Sequence, residues 1–358
     1  MSDNLGKAKL AAVQASSVFL DREASIEKAC AIIREAGANG ADLIGFPEGF
    51  IPAHPTWFHF LPTSSPKALG FSRDLFLNSV EIPGPATEAL CRACREANVI
   101  AVIGVCEKIP DTTGTMYNTQ LFIDRTGAIL GKHQKIMPTL GERIVHTGGF
   151  GDTMRAYRTP FGNVGGLICG ENSNPLAIFS LAAMNTVVHV ASWPAHFNHG
   201  TWMQDCIEIA SRAIGYQMKA FVINGVGVVS DEMIEAYAQT DEDRAYMERA
   251  KGTGAATIVG PKGQDIAGPL EPGDGILYAE VDLDGVLIPK VTQDFGGHYN
   301  RFDIFSLHVN VDAPHPLVHL RSKPPAGELE GPAEPPLLGE GGEDPSNAEF
   351  RRITQRDG

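Results

Sequence analysis

Nowhere in this chain of 358 residues does an apolar run approach the roughly 18 residues that a bilayer crossing needs. The opening MSDNLGKAKL has no apolar core of the length a secretory signal requires, so the expectation is a cytoplasmic protein. Basic residues are scarce as well. Lys and Arg number 29 against 43 Asp and Glu, and the formal net charge of −14 has the wrong sign for binding nucleic acid or an anionic membrane. Neither HExxH nor HxH occurs at zinc spacing. His189, His196 and His199 lie close together, but no carboxylate accompanies them at ligand spacing, so no metal site is expected. The six cysteines are scattered, which with no signal peptide reads as free thiols. Cys91 and Cys94 make a lone CxxC inside the helical pattern ATEALCRACREANV, which is a helix face rather than a metal or redox pair.

What is present is an ordinary globular balance, 43% hydrophobic and 20% charged, in a chain long enough for one large or two smaller domains. Strand and helix patterns alternate over the first two thirds. KLAAVQA reads as a buried strand, Asp21 to Ala36 as a helix, and DLIGFPE as a second strand ending in Glu48. The aromatic, proline-rich run from Gly49 to Leu69 reads as a loop suited to a pocket wall or lid. Hairpins follow around Arg125 to Gly127 and Pro160 to Gly162. Continuous apolar strands with helices between them predict an α/β fold with helix-covered sheets, and the hairpins predict mixed strand directions. Residues 1–310 form the predicted domain. From about Val311 to Gly358 the composition turns to proline, glycine and glutamate, a tail that is either disordered or laid on a neighbouring subunit.

One stretch concentrates the chemistry. In GLICGENSNPL a buried strand runs into Cys169, and turn and cap formers then lead through Pro175 into an apolar helix. A cysteine on such a turn faces a cleft, and a helix N-terminus beside it favours the thiolate. The competing reading is a small core residue, as most cysteines in apolar runs are. A sulfur nucleophile adding to an unsaturated carbon needs a base for its proton and a cation for the charge that develops. Glu48, at the edge of an apolar strand, offers a partly desolvated carboxylate whose pKa moves toward neutrality. In GKHQKIMPTLGER the IMPT that follows Lys135 holds its backbone, which favours it over Lys132 for a fixed role.

FPEGFIP, KIMPTLGER, GLICGENSNPLA and GGHYNRFDIF, in that order between about Lys7 and Asn310, resemble the signature runs of the nitrilase superfamily, and its nitrile-cleaving branch in particular. The resemblance implies a four-layer αββα sandwich of two mixed sheets that pairs into an αββα–αββα dimer and then into spiral homo-oligomers. It implies a Glu-Lys-Cys triad of Glu48, Lys135 and Cys169, with Glu142 a second carboxylate of the site. The implied reaction hydrolyses a small organic nitrile to carboxylic acid and ammonia through a thioimidate and a thioester, and needs no organic cofactor. Amide or N-carbamoyl hydrolysis and cyanide hydration on the same scaffold are the nearest alternatives. A non-catalytic assembly protein, using the helices Asn174 to Met184 and Thr201 to Ala220 as contacts, is a third. Many nitrilases carry tryptophan after the nucleophile and histidine two places on, where this chain has Gly170 and Asn172. The pocket walls are expected from His54, Trp57 and Phe58, from Gly170, and from Ser192, Trp193 and Pro194, or else these aromatics simply pack. Gly170 and the aromatic loop point to a roomy pocket for aromatic or arylaliphatic substrates, with aliphatic dinitriles as the alternative.

Overall fold

In the computed structural model, residues 5–197, 203–251 and 253–313 are described. His199, Thr201 and all of the tail beyond Ala313 lie outside them. β1 (Lys7–Gln14) leads to α1 (Arg22–Ala38), where Asp21 caps the helix by accepting from the Ala24 N–H at 3.0 Å. β2 (Leu43–Gly45), α2 (Pro66–Asn78), α3 (Pro85–Ala97) and β3 (Ile100–Lys108) follow. The hairpins are β4 (Met116–Ile123) with β5 (Ile129–Gln134), and β6 (Tyr157–Thr159) with β7 (Gly162–Ile168). After these come α4 (Pro175–Ala183), β8 (Thr186–Trp193), α5 (Met203–Met218) and β9 (Phe221–Val226). The domain continues with α6 (Asp231–Tyr237), α7 (Asp241–Ala250), β10 (Thr257–Val259), β11 (Asp265–Ala267), β12 (Gly275–Asp282) and α8 (Leu287–Gln293). Among the described residues, no helix is long and apolar enough to cross a membrane.

Strand directions are mixed, as the patterns predicted. β1, β2 and β3 are parallel, as are β7, β8 and β9, while the β3–β4–β5 and β6–β7 pairs are antiparallel. The expectation of two separate sheets needs correction. The 12 strands form one sheet in two halves, with order β5-β4-β3-β2-β1-β9-β8-β7-β6, and the halves join where Gln14 of β1 pairs with Val226 of β9. The Gln14 side chain reinforces the junction. Its amide nitrogen donates to the Glu271 and Gly273 carbonyls, and its oxygen accepts from the Ala255 and Ala256 N–H groups.

The period-2 alternation of β1 divides its side chains between two cores. Leu10 and Ala12 join Leu43, Val102 and Phe122 in packing against Leu167, Val190 and Ile223 of the other half. Ala11 and Val13 face the other way, into a core with Ile26 and Ile33 of α1 and Leu90 and Cys94 of α3. The halves approach so closely that a Cβ on Gly45 would meet Val190 at 2.7 Å, and one on Gly225 would meet the Phe46 carbonyl at 2.5 Å. Only hydrogen fits at either position.

α2 was not evident in the sequence, where its first residues fell within the aromatic loop. Ser65 caps it by accepting from Ala68 N–H, and only Ala68 and Leu75 are buried, too few to make a helical stripe.

Candidate active site

Glu48, Lys135 and Cys169 each follow the end of a strand, while Asn118 projects from within β4 and Glu142 from a 3₁₀ turn, Leu140–Ile144. β2 ends at Gly45 and Glu48 follows three residues later, its N–H donating to the Trp193 carbonyl at the end of β8 at 3.2 Å. Gly104 of β3 admits this turn, since a Cβ there would stand 2.1 Å from the Pro47 carbonyl oxygen. Lys135 follows β5, its backbone fixed on both sides: its N–H donates to the Asn118 carbonyl, and its carbonyl accepts from Gly149 N–H, both at 2.8 Å. Cys169 follows β7 and opens a single turn of 3₁₀ helix, with φ at +50°. An L residue is strained there. Asn172 holds the turn by donating to the Cys169 and Leu167 carbonyls, both at 3.1 Å, while its own oxygen accepts from His189 Nε2 at 2.8 Å.

The two glutamates and the lysine meet in the interior. Lys135 Nζ donates to Glu48 Oε1 and to Glu142 Oε2, each at 2.7 Å, and all three side chains are essentially sealed from solvent. Asn118 Nδ2 donates to both carboxylates at 2.6 Å. The carboxylates differ in what remains free. Glu142 is saturated, since Oε2 also accepts from Thr139 N–H at 2.8 Å and Oε1 from His146 Nδ1 at 3.2 Å. Glu48 Oε2 is buried with no hydrogen-bond partner among the described residues. Only Glu48 therefore has an oxygen at liberty to take a proton.

The charge states follow from these contacts, and two expectations reverse. Burial pushes the Glu48 carboxyl up, but the ammonium of Lys135 and the imidazole of His54 overcome it, so Glu48 lies below the usual carboxylate range rather than near neutrality. Burial works against the Lys135 ammonium too, yet Glu48 leads the opposing charges and holds it above the usual lysine range. The Cys169 thiol is only 7% exposed. Burial and the Glu48 charge push it up, with Lys135 and the Gly170 N–H opposing them. The helix α4 starts six residues beyond the sulfur and does not make it a thiolate. The site holds a Cys169 thiol within electrostatic reach of Lys135 and of the ionised Glu48 and Glu142.

The pocket-wall candidates divide. His54 stands at the site, with Nε2 3.3 Å from Glu48 Oε1 and 3.8 Å from Glu142 Oε2. With Glu48 and Ala195 it lines a cleft of about 10 Å³, the space of a single water molecule. Trp57 is fully buried in an aromatic cluster with Phe19, Phe58, Phe71 and Tyr237, so it packs the interior instead of lining that cleft. Ser192 bonds Gln120 and the Phe46 carbonyl, and the Trp193 indole donates to Asn224 at 2.9 Å. Pro194 accepts from His196 Nδ1 at 3.2 Å. These three residues bind structure to structure. Gly170 faces solvent, so its missing side chain does not widen an interior cavity. The expectation of a roomy aromatic pocket loses both its supports.

Of the three histidines close in sequence, the two described are engaged elsewhere. His189, held neutral with a pKa lowered to about 3 by burial and by His133, bonds Asn172, and His196 bonds a carbonyl. Among the described residues only Glu48, His54 and Glu142 approach ligand spacing. Lys135 already donates to both of those carboxylates, which suits the group to an ammonium rather than a divalent ion.

Sequence reading missed Asn118 and Glu171. Glu171 joins the lysine and cysteine segments. Its Oε1 accepts from Ile136 N–H at 2.7 Å, next to Lys135, and its Oε2 accepts from Ile168 N–H at 3.0 Å, next to Cys169, and from His133 Nε2 at 2.9 Å. Glu171→Gln sets an amide N–H₂ against donors. The expected result is a kcat loss of about 10²-fold with KM little changed, and a stability loss of about 1–3 kcal/mol. Saturation kinetics beside thermal denaturation check both, and an unchanged kcat would remove Glu171 from this role.

The structure thus gathers a buried Glu-Lys-Glu cluster within electrostatic reach of a cysteine on a strained strand-to-helix turn. The chain belongs to the carbon–nitrogen hydrolase family, the nitrilase superfamily, whose model matches residues 9–287. It is 37% identical over 314 residues to Nitrilase 2 of an unknown prokaryotic organism, covering 85% of this chain and 93% of that protein. With an aliphatic nitrilase of Rhodococcus rhodochrous it shares 34% over 345 residues, 91% of each chain. Among solved structures it is similar in fold to Saccharomyces cerevisiae Nit3, a member of branch 10 of the nitrilase superfamily. The TM-score is 0.62 at 19% identity, over 82% of this chain and 97% of that one.

Proposed function

We propose that this enzyme hydrolyses an organic nitrile to the carboxylic acid and ammonia, with Glu48, Lys135 and Cys169 as its triad. The observation that carries the reading is the pair of unlike carboxylates: one saturated, one with a free oxygen, both on the same lysine near a thiol. In the first step Glu48 takes the Cys169 proton and the sulfur adds to the nitrile carbon. The proton passes to nitrogen, leaving a neutral thioimidate. Lys135 stabilises the charge that builds during the addition. Glu48 then draws a proton from water as it attacks the thioimidate carbon, and the tetrahedral intermediate expels ammonia to leave a thioester. A second water, activated the same way, releases the acid and restores the thiol. Glu142 holds Lys135 in place and charged throughout. No step calls for a metal or an organic cofactor.

Nitrilase-named relatives at 34% and 37% identity support the nitrile over the amide as substrate. The assembly proposed is a four-layer αββα domain pairing with a second copy through α4 and α5, in the cytoplasm. It is supported by the core between the sheet halves and by solvent-facing Leu176, Ile209 and Tyr216 on those helices. A panel of aliphatic, arylaliphatic and aromatic nitriles, with acid, amide and ammonia measured separately, tests the activity. The expected result is acid and ammonia in equal amounts. Consumption of amides alone would make it an amidase, and amide as the sole nitrile product would make it a hydratase.

A further inference from the structure

The charges buried at the site do not balance without one more cation. Glu48 and Glu142 contribute two negative charges and Lys135 one positive. His146, which burial pushes down, bonds Glu142 as the neutral imidazole, and Asn118 is neutral. The thiols of Cys106 and Cys169 are both pushed up by burial and by the two carboxylates. One uncompensated negative charge would remain in a water-poor interior, which is costly. His54 is the group placed to balance it. Its Nε2 lies between the carboxylates, at 3.3 Å from Glu48 and 3.8 Å from Glu142, and it borders the cleft beside Glu48. Gly49 packs on its backbone, where an added Cβ would stand 3.2 Å from the His54 Cα, Cβ and N atoms.

We propose that His54 is a positioning residue that acts as an imidazolium, the second cation of the site, and sets the acidity at which Glu48 stops serving as base. The proposal rests on the reading of Glu48 as the base. Burial opposes the imidazolium, but Glu48 first and Glu142 second raise its pKa to about 9. The ring is therefore charged at neutral pH and helps Lys135 keep Glu48 ionised. The groups facing it are Glu48 from the turn after β2, Lys135 from the turn after β5, and Glu142 and His146 from the loop between β5 and β6. Cys106 of β3 and Cys169 after β7 lie within electrostatic reach of the same two carboxylates. When Cys169 passes its proton to Glu48, the sum of charges is unchanged, so the same two cations serve the resting and the activated state.

The test measures Glu48 through Cys169 without any nitrile. Iodoacetamide alkylates the sulfur with loss of iodide, the proton going to Glu48, and the mass of the Cys169 peptide reports the rate at each pH. In His54→Gln the acid limb of that rate should move up by about 1–3 pH units, while His54→Lys, which restores a cation, should bring it back. Thermal stability gives an independent reading. Because folding raises the His54 pKa, its ion pairs contribute fully below the unfolded value of about 6.5 and are lost as pH rises through about 9. The gap in melting temperature between wild type and His54→Gln should close over that window, whereas a lost packing contact would leave it constant with pH. Overlapping acid limbs in wild type and His54→Gln, or a pH-independent stability gap, would overturn the proposal. If the limb moves while no nitrile is consumed, the choice of substrate alone fails.

Discussion

Cys169→Ala should reduce turnover to background, a loss on the order of 10⁶-fold, because the other thiol near the carboxylates, Cys106, is fully buried and bonds the Ala53 carbonyl. The fold should survive. Cys169 is a small buried side chain in a turn already held by Asn172 and Glu171, and alanine keeps the Cβ while losing one sulfur atom. The turn keeps its φ of +50° in either case, so the strain is common to both proteins. Oligomer size should be unchanged. The decisive measurement is the mass of enzyme quenched during turnover of a slow nitrile. Wild type should carry an adduct on the Cys169 peptide, and the variant should carry none. Turnover close to wild type in the variant would show that another nucleophile does the work.

The second large effect is expected at Lys135→Met, in both activity and stability. The methionine leaves Glu48 and Glu142 buried with Asn118 and His54 as their remaining shared partners. Removing one partner from a buried ion pair typically costs about 3–5 kcal/mol, because the other charge stays behind. One carboxyl should relieve this by holding a proton at neutral pH, and a protonated Glu48 is no base. Turnover should fall by about 10³-fold or more. The sign of the pH dependence follows from the wild-type directions. Glu48 and Glu142 are both held below their ordinary range, so their contribution to stability is present above the unfolded value of about 4.3 and lost as pH falls below it. The stability gap between wild type and Lys135→Met, measured by urea titration, should therefore narrow on acidification. A gap that widens in acid would mean that Lys135 does not hold the carboxylates ionised.

Much of the site was legible because it stands at the ends of strands. Periodic apolar runs that stop abruptly locate Glu48 and Cys169, and the rigid IMPT distinguishes Lys135 from Lys132, which pairs instead with Glu107. The alternation of β1 and both hairpins were equally plain. What escaped lies in pairings across the chain. Asn118 is 70 residues from Glu48 and Glu171 is 35 from Ile136, and no local pattern encodes a partner so distant. The charge states failed for the same reason. A strand-end carboxylate taken alone reads as raised and a cysteine before a helix as lowered, but Lys135 and His54 decide the first sign, and burial with the Glu48 charge decides the second, all delivered by the fold from elsewhere. Aromatic content was similarly ambiguous, and Trp57 went to the core.

Glu48 and Lys135 follow strands of one half of the sheet and Cys169 a strand of the other, so the packing of the halves bears on how far apart they stand. Where the halves press together, Gly45 and Gly225 leave room for hydrogen alone. A methyl group added there would act as a spacer, moving sulfur from carboxylate while touching neither.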